Sequence, residues 1–158
     1  MKHYKTLRIC LLSGMISFSC NQQAVSPQPA QEPVFAKGGK ITNDNFTGNV
    51  WLNSLVAADS VNQVAVGSVT FEPRARTKWH SHPAGQIILA LDGVGYYQEK
   101  GGPKKLIRKG ETVKCPPNIP HWHGASKDSG FVQVAITGRE KGDTEWLDAV
   151  NEQEYDQQ

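Results

Sequence analysis

Thr77-Lys78-Trp79-His80-Ser81-His82-Pro83-Ala84-Gly85-Gln86 is the stretch from which the fold can be read. His80 and His82 stand two residues apart, so on an extended strand their side chains share one face. Pro83-Ala84-Gly85 then turns the chain. Gln86 opens a short apolar run over 86–91, which has the length and composition of a strand. The turn aims this first strand residue back toward the two imidazoles.

The pattern continues outward on both sides. Residues 49–57 and 63–72 upstream, and 94–99 and 131–137 downstream, are short, rich in Val, Ile, Thr and aromatics, and bounded by Gly, Pro, Asn and Asp. Asp92-Gly93, between two such runs, predicts a hairpin-type turn. Gly101-Gly102-Pro103 predicts another turn, and Pro116 to Pro120 a rigid loop that ends a strand. No segment keeps an amphipathic helical period over three turns. The chain therefore reads as all-β, a single-domain sandwich or barrel.

A second histidine pair follows the proline-rich loop. Of the five histidines, His3 lies at the N-terminus, and the others form His80-Ser81-His82 and His121-Trp122-His123. A lone histidine is most simply a hydrogen-bonded core or surface residue. Two His-x-His pairs in one short domain weigh against that, because imidazole is the commonest metal ligand. A rigid sheet carrying such pairs is a natural way to build a divalent site.

These segments resemble the two motifs of the cupin family. The first is His-x-His, a short gap, an acidic ligand and then Gly, matched by His80, His82, Gln86 and Gly93. The second is matched by Gly110, Pro116 and His121 at the family spacing. The resemblance covers about 37–148 and implies a cupin jelly-roll β-barrel holding one divalent metal. Its ligands, carried over by position, are His80, His82, Gln86 and His121. The chain departs from the motifs at Gln86, where Glu is usual, and at Arg74 and Asn118, where Gly is usual. The Gln version, with its closing His-Trp-His-Gly, is similar to manganese-dependent cupin hydroxynitrile lyases and to the cupin relatives of carboxymuconolactone decarboxylases. Manganese or iron is the cofactor this implies.

An amide in place of a carboxylate has a physical consequence. Three neutral imidazoles and a neutral amide leave the 2+ charge uncompensated, which makes a stronger Lewis acid. Such a site favours a developing anionic oxygen and disfavours higher oxidation states. His123 shares a face with His121, about 6–7 Å further along the strand. Either it acts as the catalytic base on a bound substrate, or it fixes the barrel mouth by hydrogen bonds. Gln133, inside an apolar strand, faces either the lumen or solvent, and the resemblance puts it in the substrate pocket. Trp79 and Trp122 read as core, and Cys115 as a strand residue.

The N-terminus has a different character. Lys2, Lys5 and Arg8 precede a mostly apolar stretch of about a dozen residues that ends at Cys20, the length of a signal-peptide core and too short for a span. A Cys after small residues resembles a lipoprotein signal, so Cys20 is the expected lipidation site; the alternative is a plain secretory signal cut elsewhere. The expected organisation is a signal peptide at 1–19, a disordered Gln/Pro/Ser-rich tether at 20–36, the barrel at 37–150 and a polar tail at 151–158. The protein is then exported and held at the bacterial envelope or in the periplasm, with membrane attachment through the lipid.

The formal charge is +2. Without Lys2, Lys5 and Arg8 it becomes 14 basic against 15 acidic side chains, near −1, so charge gives no reason to expect a nucleic-acid partner. The expected partner is a small-molecule substrate, and a homodimer would cover exposed barrel edges. The leading functional expectation is a metal-dependent lyase acting on a small hydroxy or carbonyl compound. The alternatives are a metal-dependent dioxygenase and a non-catalytic module that captures a metal or small ligand.

Overall fold

Short strands with period-two burial dominate the computed structural model, which describes Met1 and residues 32–157. The signal-like segment, Cys20 and the tether up to residue 31 lie outside the described residues. In chain order the strands are β1 (Gly39–Lys40), β2 (Phe46–Thr47), β3 (Val50–Val56), β4 (Val64–Phe71), β5 (Arg76–Thr77) and β6 (His80–Ser81). They continue with β7 (Gln86–Glu99), β8 (Lys105–Arg108), β9 (Thr112–Cys115), β10 (His121–Ala125), β11 (Phe131–Gly138) and β12 (Glu145–Trp146). One helix, α1 (Glu152–Asp156), follows.

All pairings are antiparallel. β1, β3, β4, β11, the first half of β7 and β9 form one sheet. The second half of β7 joins β8, β10, β5 and β2, with β6 attached to β10 and β12 to β6, in the other. The result is the curled jelly-roll sheet expected of the sequence. Phe71, Ile88, Tyr97, Ile107 and Phe131 are buried in the core cluster.

The hairpin expected at Asp92-Gly93 does not form. β7 runs through it as one strand, and its halves pair with different sheets rather than with each other. The register against β11 passes from Asp92–Val132 to Ala90–Gln133, so Leu91 is an extra residue, a β-bulge that bends and twists the strand. Gly93 completes the corner at φ +72°, and a Cβ there would run into the Gly130 carbonyl. The sequence feature was a true bend but not a reversal.

The polar tail is also corrected. Asn151 caps α1 through a reciprocal capping box with Glu154, and Tyr155 is fully buried. Tyr155, Val150, Trp79 and Trp122 form a second apolar cluster. Because Trp122 alternates with His121 and His123, this cluster lies on the opposite face of β10 from the histidines. The buried Arg76 ties the segment down: its guanidinium donates to the Val150 carbonyl at 2.9 and 3.1 Å and to Glu152 at 2.8 Å.

Candidate metal centre

His80 and His121 stand directly opposite each other in the β6–β10 pairing, and His82 follows His80 by one pleat. Their ligand-capable nitrogens lie within 4.8 Å of one another. The ring centroids of His80 are 4.4 Å from His121 and 4.9 Å from His82. Two rings are oriented by their own chain: His80 Nδ1 contacts the Lys78 carbonyl at 3.0 Å and His121 Nδ1 the Ile119 carbonyl at 2.8 Å. A carbonyl only accepts, so Nδ1 carries the proton and Nε2 presents a lone pair. His82 Nδ1 meets Thr144 Oγ1 at 3.1 Å.

The Nε2 atoms of His82 and His121 are buried without a protein partner. Two buried ring nitrogens without a hydrogen-bond partner are costly on their own and fit a bound divalent cation. Burial first, and then the neighbouring imidazoles, hold His80 well below its ordinary range. His82 is pushed down to about 3, again mainly by burial, with His121 and Arg139 adding to it. Burial also lowers His121. The rings are therefore in the neutral form that binds metal.

Gln86 lines the same cavity as His80 and His82. Its position follows from pairing on both sides, opposite Cys115 on β9 and Thr137 on β11. Nε2 donates to Thr137 Oγ1 at 2.9 Å, and Oε1 accepts from the Cys115 thiol at 4.0 Å. Cys115 itself is a buried strand residue whose thiol burial pushes up to about 12, which suits packing and not nucleophilic attack.

His123 is buried on the same face, its ring 5.2 Å from His80 and 6.2 Å from His121. Burial, then His80, hold it well below its ordinary range. Its Nδ1 meets Gln133 Nε2 at 3.2 Å, and its backbone N–H donates to Thr77 Oγ1. Gln133 is fully buried, so of the two orientations open to it the strand adopts the inward one. Its Oε1 has no partner.

His80, His82, Gln86 and His123 line a cavity of about 220 Å³, below the ~300–1,000 Å³ typical of drug-sized ligands. The other walls are largely apolar, with Phe46, Val69 and Trp146 among them. Sequence reasoning missed Trp146, whose ring lies 4.9 Å from His80, and also Thr144 and Arg139. These three come from 139–146, where no periodicity marks a face. Thr77 and Thr137 were within reach, since they stand at the edges of the segments already singled out.

Fold and site together define a small jelly-roll barrel built around a buried histidine cluster. The chain belongs to the cupin family: residues 67–136 match the cupin domain. It is 46% identical to a cupin-like protein from Thermotoga maritima, with a TM-score of 0.76 over 78% of this chain and 95% of that one. It is 40% identical over 118 residues to a Granulicella tundricola protein named (R)-mandelonitrile lyase, covering 74% of this chain and 90% of the relative. A cupin 2 conserved barrel domain protein from Rhodopseudomonas palustris, 14% identical with a TM-score of 0.59 over 68% and 74% of the two chains, shares the fold.

Proposed function

We propose that the protein is a metal-dependent lyase that breaks or forms a C–C bond in a small hydroxy or carbonyl compound, with manganese or iron as its metal. His80, His82 and His121 would hold the ion, with Gln86 as the fourth ligand. Bound there, it supplies Lewis-acid stabilisation of charge developing on a substrate oxygen. The observation that carries the reading is the pairing of this cluster with a separate, buried, neutral histidine facing the same small cavity. The relative named mandelonitrile lyase supports cyanohydrin cleavage as the reaction to try first.

The chain's own residues would manage the proton. Gln133 engages Nδ1 of His123, which leaves Nε2 as the nitrogen free to meet a substrate. With the amide N–H donating to Nδ1, the neutral ring carries its proton on Nε2 and can protonate a leaving anion. Turned over, the amide oxygen accepts Nδ1–H, and a bare Nε2 can take a hydroxyl proton. Thr77 holds the backbone of this residue, and the apolar walls limit water around the reacting atoms.

Mandelonitrile turnover, measured with metal analysis of the purified protein, tests the proposal. We expect His123→Ala to retain its metal and lose at least about 100-fold in turnover, the range of general acid–base contributions. Unchanged turnover in a metal-loaded His123→Ala protein would overturn the role. Oxygen uptake with aromatic or enol substrates, and no nitrile cleavage, would favour an oxygenase instead.

A further inference from the structure

The cavity wall holds one side chain with a permanent charge. Among the described residues lining it there is no Asp or Glu, and Arg139 is the single cation. Arg139 follows β11 directly and is only about one-third exposed. Its Nη1 donates to Thr144 Oγ1 at 2.9 Å and lies 3.8 Å from the fully exposed Asp143. Such an exposed contact is a weak competitor. Among the described residues, Nη2 and Nε of Arg139 have no hydrogen-bond partner, and these are the donors of a fork that matches a carboxylate.

The location adds a length restriction. Thr144 Oγ1, which accepts from Arg139, is also the partner of His82 Nδ1 at 3.1 Å. The guanidinium is therefore two hydrogen bonds from a ring of the histidine cluster. A molecule with one end on Arg139 and another facing the imidazoles is short, which agrees with the cavity volume of about 220 Å³. Arg139 is the one permanent charge that the lining side chains supply, and its guanidinium matches a single carboxylate group.

We infer that Arg139 is a substrate-binding residue and that the small molecule entering this cavity carries a carboxylate beside its hydroxyl or carbonyl group. This rests on the reading of the cavity as the substrate site, and it narrows the substrate class to small hydroxy or oxo acids. Arg139 touches the substrate away from the atoms that react, so its effect belongs to binding and specificity.

Calorimetric titration of the manganese-loaded full chain with mandelate and with its uncharged amide, mandelamide, tests the inference. The two probes have nearly the same shape and differ in charge. We expect wild type to bind mandelate more tightly than mandelamide. Arg139→Met should weaken mandelate at least 10-fold and mandelamide less than 2-fold at unchanged metal content, with Arg139→Lys recovering part of the loss. Equal weakening of both probes, unchanged mandelate affinity in Arg139→Met, or no preference in wild type would overturn it. Nitrile cleavage without a carboxylate preference would count against Arg139 alone. The preference without nitrile cleavage would count against the lyase reading alone.

Discussion

Arg74 and Asn118 are the two described non-glycine residues with positive φ, at 67° and 60°. They are also the places where the chain departs from the glycines usual in the cupin motifs. The backbone has kept the left-handed geometry that glycine adopts at no steric cost, although the side chains have changed. Arg74 gains contacts in return, bonding Glu152 at 2.6 Å and lying over the Tyr155 ring. Asn118 has no side-chain hydrogen bond among those described. Asn118→Gly should therefore stabilise the fold by up to about 1 kcal/mol, measured by urea unfolding. A loss of stability would show that the side chain holds the loop. The His-x-His pairs were the most legible part of the site because a strand's period alone puts both rings on one face. The hydrogen bonds that set their ring nitrogens were not legible, since they depend on carbonyls two residues back and on a threonine 62 residues away.

At the scale of elements, the strands were legible from period-two runs, and 49–57 and 63–72 match β3 and β4 within a residue or so. The bend of β7 was seen but misassigned, because Asp-Gly marks both hairpins and bulges. The C-terminal segment was missed because five helical residues hold too little of a 3.6-residue period. Only the Asn151-x-x-Glu154 spacing of its capping box marked it. This segment buries Tyr155, whose hydroxyl donates to the Ala125 carbonyl at 2.9 Å at the end of β10. Tyr155→Ala should cost about 3 kcal/mol or more, as large aromatic deletions do, and thermal or urea unfolding reads it directly. A change within 0.5 kcal/mol, the scale of surface substitutions, would mean that the segment does not stay on the sheet in solution.

For the whole molecule, the histidine cluster links stability to acidity. Unfolded histidines take up protons near pH 6.5. In the metal-free fold His82 resists to about 3, and His80 and His123 are also held far down. Between pH 6.5 and 3 the unfolded chain binds more protons, so stability falls as the pH drops through that window. The melting temperature of metal-free protein should decline steadily from pH 7 to 4. Added manganese should raise it at pH 7.5, and by progressively less on acidification, as protons compete for the same nitrogens. A flat profile from pH 7 to 4 would show that the rings are not buried and neutral in solution.

The pairing of His80 with His121 also has a topological meaning. Two positions about forty residues apart in the chain meet there, at the junction of β6 and β10. An ion gripping rings from both would act on the unfolded ensemble as a covalent cross-link does, closing a long loop. The chain-entropy relation puts that restriction at roughly 4 kcal/mol. Cys115 is buried and free, so among the described residues no disulfide does this work. The three rings would then serve as the staple of the barrel.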